Sequence, residues 1–239
     1  MELELNMNKK IIGFFLLFLV STSLFAGIRF TPIQLYIQDF KKQKSTTISV
    51  ESSGVASSKI FEINAFKWTQ DEQGEDILVE DNTLLFNPKT FELKPESKQL
   101  VRIGFSQPPL HLKKQESWRV VFKEVTPIEN KSNINFLFNF SLPLFAGEQL
   151  PPQLDIKLEK TNNSAYLNID NTAKSHAKIT EVVVLDNKNK EVFKKDLTLF
   201  ILSGNKIRYN LGDFENNNSE LKLKVKVEEY GYLEFPVKG

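Results

Sequence analysis

From residue 28 onward, apolar side chains return at every second position in short runs, and each run is stopped by Gly, Pro, Asp or Asn. An extended chain sends successive side chains to opposite faces, so such runs read as strands with one dry and one wet side. The 3.6-residue spacing of an amphipathic helix is almost absent. LKLKVKV gives the clearest case, with Leu221, Leu223, Val225 and Val227 on one parity and lysines on the other. The front half holds candidate strands at 28–37, 45–52, 59–70, 77–80, 84–88, 98–105, 117–125 and 133–145. A second series follows at 155–161, 165–171, 177–186, 197–204, 206–211, 221–230 and 233–237. Short strands at this spacing, punctuated by turn residues, predict an all-β chain of Greek-key sandwiches.

The stretch MNKKIIGFFLLFLVSTSLFAG, starting at Met7, does not belong to this pattern. Lys9 and Lys10 precede an apolar run from Ile11 to Val20, and small residues follow, ending at Ala26. The order matches a secretory leader, and the apolar run is too short for a membrane span, which needs roughly 20 residues. Residues 1–26 are therefore expected to be removed, leaving a mature chain from Gly27. Its length suits two domains of about 100 residues each. Gly147, Pro151 and Pro152 interrupt pairing in AGEQLPPQ, which divides the chain into a domain over 27–146, a hinge over 147–152 and a domain over 153–239.

With no cysteine in the chain, both domains must be held by packing alone. A formal net charge of +1 with scattered acids and bases offers no stripe for nucleic acid. Catalytic constellations are equally scarce. The two histidines, His111 and His176, have no ligand spacing for a metal, and His111 sits in a loop-like PPLHLKK. Nucleophile-elbow, phosphate-loop and dinucleotide signatures are missing. Adjacent carboxylates such as Glu228 and Glu229 would point to opposite faces of a strand. No enzyme, metal or cofactor is expected. Trp68 and Trp118 read as core anchors of the first sandwich.

One strand carries more apolar surface than its place requires. In NINFLFNFSLPLF, residues 133–145, Ile134, Phe136, Phe138, Phe140, Leu142 and Leu144 share one parity, while Asn133, Asn135, Asn139 and Ser141 take the other. Such a face either closes the protein's own core or is offered to a partner.

The order of pieces in the first domain resembles the periplasmic pilus chaperones of the chaperone-usher pathway. The resemblance rests on TPIQLYI, FEINAFKWTQDEQGEDI, FELKPESKQLVRIGF, and ESWRVVFKEVTP followed by a loop and NINFLFNFSLPLF; in the second domain FILSGNKIRYNL is similar. It covers nearly all of the chain after the leader, and it is carried by order and spacing rather than by one motif. It implies two immunoglobulin-like domains in an L-shaped arrangement, a periplasmic location, and partners that are pilus subunits and an outer-membrane usher. It also implies that Ile134, Phe136, Phe138 and Phe140 lend their side chains to a subunit lacking its last strand. Leu142, Leu144 and Phe145 fall to structure. Neither nucleic acid nor stable membrane insertion is implied, and self-association of the free chain is left open.

One feature departs from the family. Many members grip the subunit's C-terminal carboxylate with an Arg in the first strand and a Lys near the end of the donor strand, positions that fall on Gln34 and Pro143 here. SLPLF looks like the ending seen in the archaic branch, and Arg29, Arg119 and Lys123 are the candidate replacements. The alternative reading is a secreted adhesin or appendage subunit with two such domains. A pilin would carry a donor extension directly after its leader, whereas GIRFTPIQLYI runs straight into a sandwich.

Overall fold

The computed structural model describes residues 27–237 apart from 41, 108, 110–111, 126, 128–135, 162 and 215–220. The leader, His111 and Ile134 lie outside the described residues. Every regular element among the described residues is a strand. In the first half these are β1 (Gly27–Thr31), β2 (Leu35–Ile37), β3 (Ser45–Ser53), β4 (Lys59–Gln70), β5 (Asp76–Glu80), β6 (Leu84–Asn87), β7 (Thr90–Leu93), β8 (Lys98–Phe105), β9 (Glu116–Glu124) and β10 (Asn139–Ala146). The second half adds β11 (Leu154–Lys160), β12 (Ser164–Asn171), β13 (Ala177–Asp186), β14 (Glu191–Ile201), β15 (Lys206–Asp213), β16 (Leu221–Val227) and β17 (Gly231–Pro236).

Four sheets make two sandwiches. The order β1-β3-β8-β6 faces β2-β10-β9-β4-β5, with β7 also paired to β4; in the second half β11-β12-β15 faces β14-β13-β16-β17. Alternation decides what lies between them. Val120, Phe122, Ile63, Phe61, Ile48 and Ile103 fill the first core, and Ile179, Val184, Leu167, Leu223 and Val225 the second. Leu221, Leu223, Val225 and Val227 all point inward, as their parity predicts.

The structure corrects the sequence reading in several places. The expected strand 28–37 is two: β1 pairs with β3 in one sheet, and β2 runs parallel to β10 in the other. Pro32 between them has no N–H to give a ladder, so the chain leaves one sheet there and joins the facing one. TFEL, at β7, was not foreseen as a strand, and β14 begins well before the expected residue 197. Of the expected strand at 133–145, residues 133–135 lie outside the described residues, 136–138 are not in a strand, and β10 begins at Asn139.

Trp68 is the most informative correction. It is buried, but in a separate cluster with Phe145, Phe200 and Leu202 that joins the two sandwiches, whereas Trp118 lies in the first core as expected. On β4 its parity points away from the first core. A neighbouring sandwich then supplies the burial that an indole gains from a second apolar surface.

The connector between the sandwiches is fixed by backbone geometry. Gly147 adopts φ +118°, and a Cβ there would sit 3.1 Å from the Gln115 Cα, so both conformation and space call for glycine. Its N–H donates to the Ile37 carbonyl at 3.0 Å. Leu150 and Ser175 then exchange hydrogen bonds, the Leu150 N–H donating to Ser175 Oγ and Ser175 Oγ–H to the Leu150 carbonyl. The connector is thus bonded to both sandwiches.

Candidate functional site

The site begins with the pairing of β10. On one side the strand is bonded to β9 without interruption, from Asn139 opposite Lys123 to Ala146 opposite Glu116. On the other side β2 covers only Leu144, Phe145 and Ala146. From Asn139 to Pro143 that edge has no strand beside it among the described residues. An uncovered edge presents N–H and C=O groups to any chain that can lie along it.

Just before this edge the chain carries exposed aromatic surface. Phe136 is 75% exposed, Leu137 45% and Phe138 48%. The ring of Phe138 stacks on Phe140 at 6.0 Å, and Phe140, half-buried, reaches inward to Phe30 at 4.5 Å and Phe61 at 6.3 Å. The face read from the sequence is therefore graded. Phe136 and Phe138 are open, and Phe140 is shared with the protein's own core.

Toward the end of β10 both parities are buried. Leu144 enters the first core, Phe145 joins the cluster between the sandwiches, and Pro143 is buried opposite Arg119. At the other end a buried carboxylate holds the strand's approach. The Glu124 N–H donates to the Phe138 carbonyl at 2.8 Å, and the Phe138 N–H donates to Glu124 Oε2 at 3.1 Å. Lys59 Nζ lies 2.8 Å from Glu124 Oε1.

The three candidate cations part company. Arg29 is exposed and paired with Glu51 at 2.6 Å on the other sheet. Lys123 is exposed beside Asn139. Arg119 stands directly opposite Pro143, its guanidinium 3.8 Å above the Trp68 ring and bonded to Asp76 at 2.9 Å. It alone of the three belongs to the surface between the sandwiches.

Gln34 occupies that surface too. Its Nε2 donates to Glu228 Oε2 at 2.8 Å, its Oε1 accepts from the Tyr36 hydroxyl at 3.2 Å, and Lys178 Nζ meets the other oxygen of Glu228 at 2.6 Å. Burial alone would raise the Glu228 carboxyl; the hydrogen bonds from Lys178 and Gln34 outweigh it and hold the group below its ordinary range. Burial also pushes the Tyr36 hydroxyl up to about 12, helped by Glu229 and Glu228. The sequence set Glu228 aside as one of two adjacent carboxylates and gave no sign of Lys178, because only the fold brings a residue of β13 and one just after β16 beside Gln34.

His176 lies beside Tyr36 and Lys178 at the same surface. It stacks on Phe145, and its Nδ1 lies 2.6 Å from Gln115 Oε1, an oxygen that can only accept, so the ring carries its proton there. Burial lowers its pKa to about 3, with Lys178 acting the same way and Glu228 opposing. The imidazole is a neutral packing group. Among the described residues no group of three or more His, Asp or Glu could hold a metal.

Two immunoglobulin-like sandwiches with an open edge at the last strand of the first define the class of fold. Solved structures place it further. The chain matches a chain of the CsuC–CsuE chaperone–tip adhesion subunit pre-assembly complex, from archaic Csu pili of Acinetobacter baumannii, at TM-score 0.64 and 19% identity, over 87% of this chain and 98% of that one. The class 5 fimbriae chaperone CfaA is matched at TM-score 0.59 and 18% identity, over 89% and 100%. The Salmonella enterica complex of SafA pilin with the SafB chaperone gives TM-score 0.59 and 11% identity, over 89% and 97%. The two-domain fold of this chain is that of pilus chaperones. No protein-family model and no curated protein sequence matches it.

Proposed function

We propose that this protein is a periplasmic chaperone that caps pilus or fimbrial subunits by donor-strand complementation and passes them to an outer-membrane usher. The observation that carries the reading is the uncovered edge of β10, approached by Phe136 and Phe138 with their rings in solvent. A subunit short of one strand exposes a groove and two unpaired edges. A donated strand fills both needs, backbone groups pairing along the edge and alternate side chains entering the groove. Each buried phenyl removes apolar area worth about 1.5 to 3 kcal/mol before ordering costs, so binding needs no nucleotide and no catalytic step.

In this reading residues 27–146 form the donor domain, with Ile134, Phe136, Phe138 and Phe140 as donated residues, 147–152 the hinge and 153–239 the second domain. Of the cations considered for the subunit's carboxylate, Arg119 has the position that suits it. The alternative of a two-domain appendage subunit is less well supported, since chaperone chains such as CfaA are matched over their whole length.

The decisive experiment is Phe136→Ser with Phe138→Ser, purified beside the wild type after co-expression with a pilin from the same organism. The double variant is expected to melt as the wild type does and to bring down no subunit. A melting transition that collapses would make these rings core. An intact variant that still captures the subunit would remove donation as the mechanism.

A further inference from the structure

We infer that the buried Glu124–Lys59 pair is a register lock for the donor segment, setting which aromatic residues reach the partner. The inference rests on the chaperone reading above and concerns the same edge. Along β9 the inward parity runs Trp118, Val120, Phe122, and the next inward side chain is Glu124, with no exposed side-chain surface. On β4, Glu124 lies opposite Phe61. An apolar residue would suit that place, and a buried carboxylate is tolerated only when its oxygens are occupied.

Oε2 accepts a hydrogen bond from this segment, and Oε1 is ion-paired with Lys59 at 2.8 Å without hydrogen-bond alignment. In an antiparallel ladder, Phe138 and Glu124 would form a pair exchanging two main-chain hydrogen bonds. One is present, from the Glu124 N–H to the Phe138 carbonyl. The other is closed by the Glu124 side chain, whose Oε2 takes the Phe138 N–H while Lys59 holds Oε1. The carboxylate thus ends the ladder at Phe138 and fixes the chain there, so that residues 136–138 leave the sheet.

Register matters because side chains alternate with period two. A slip of one residue would turn Phe136 and Phe138 away and present Leu137 and Asn139 instead. From Asn139 on, the buried Leu144 and Phe145 already fix the register, whereas before it a single ladder bond, from the Glu124 N–H to the Phe138 carbonyl, holds the segment. The carboxylate, paired with Lys59, adds a second bond at the Phe138 N–H and so singles out that residue. Glu124 is in this account a positioning residue, and it touches no subunit.

The test starts with the full-length free protein. Residue-resolved amide exchange of the wild type should show Phe138 protected at least about tenfold more than its exposed neighbour Leu137. Equal exchange at the two positions would overturn the inference without any variant. Glu124→Val removes the acceptor and suits an inward site, so the fold is expected to persist while Phe138 protection falls to the Leu137 level. Glu124→Gln keeps an acceptor oxygen and should retain most of the protection. Capture of a refolding pilin, released by denaturing the wild-type complex, should slow about tenfold in Glu124→Val and recover in Glu124→Gln. Unchanged protection and capture in a folded Glu124→Val sink the lock and leave the chaperone reading standing. Should Glu124→Val not fold, Lys59→Met decides, because loss of the anchor must by itself lower Phe138 protection. A wild type that yields no complex defeats the chaperone reading, while the exchange measurement still judges the lock.

Discussion

The imidazole of His176 lies flat on the ring of Phe145, with centroids 3.5 Å apart and planes 6° from parallel. Phe145 lies near the end of the strand that carries the open edge, and His176 precedes β13 of the second sandwich, so this stack fastens the first sandwich to the second. Trp68, Phe200 and Tyr36 surround it, at 5.9, 5.8 and 5.7 Å from the Phe145 ring. Burial here sets a charge state as well as a contact.

His176 should make the protein acid-sensitive in a defined window. Its folded pKa, about 3, lies below the ordinary value of 6.5, so between these values the unfolded chain binds a proton that the folded chain refuses. Stability from this residue is whole above pH 6.5 and declines as pH falls toward 3, at about 1.4 kcal/mol for each unit. Chemical denaturation at pH 7, 5 and 4 checks this. His176→Gln should start less stable at pH 7 and lose markedly less between pH 7 and 4 than the wild type; parallel declines in the two proteins would show that His176 is not the group responsible.

Gly147→Ala is expected to destabilise the protein by about 1 to 3 kcal/mol, since it combines a positive φ with a crowded Cβ. The atom it meets is the backbone Cα of Gln115, which cannot swing aside. Because Gln115 also holds His176, the strain should spread to the second sandwich. Thermal melts read the loss, and a substitution that leaves the midpoint within a degree would contradict it.

Much of the fold was legible because its information is local. Period two in 59–70, 98–105 and 177–186 found those strands with their observed ends, and LKLKVKV showed its inward face outright. What periodicity does not carry is the identity of the neighbour. The run 28–37 shows no sign that its two ends pair in different sheets, and Trp68 looks like any core indole until a second sandwich is placed against it. The same limit divides the candidate site. The parity of Phe136, Phe138 and Phe140 was readable, but the burial that separates Phe140 from the others depends on Phe30, which lies on β1 of the facing sheet. Arg119, Gln34, Lys178 and Glu228 were individually plain, and their gathering at one surface was visible only in the fold.

That grading predicts different costs for neighbouring aromatics. Phe136→Ala and Phe138→Ala should change stability by no more than about 0.5 kcal/mol, as expected for exposed positions. Phe140→Ala should cost about 2 kcal/mol, less than a fully buried phenyl, because its ring packs on Phe30 and Phe61 while keeping part of its surface in water. Denaturant titration of the three single variants measures this. Equal losses at Phe138 and Phe140 would mean that the whole segment packs as core.

The last expectation concerns the carboxylate anchor. A subunit carboxylate lying at the end of β10 would meet Arg119, opposite Pro143, and the planar guanidinium has five donors, enough to keep Asp76 while taking a second acceptor. Loss of a charge-assisted bond of about 1.5 to 3 kcal/mol corresponds to roughly ten- to a hundredfold weaker capture, which is expected of Arg119→Gln. Gln34→Ala should stay within a few fold, since the neutral amide already serves Glu228 and forfeits at most about one ordinary hydrogen bond. Asp76→Asn removes the charge that competes for Arg119 and should tighten capture. Arg29→Gln and Lys123→Gln serve as exposed controls. Titrating immobilised pilin with each folded variant orders them. If Arg119→Gln binds like the controls while Gln34→Ala falls a hundredfold, the anchor lies at Gln34 and the charge argument fails.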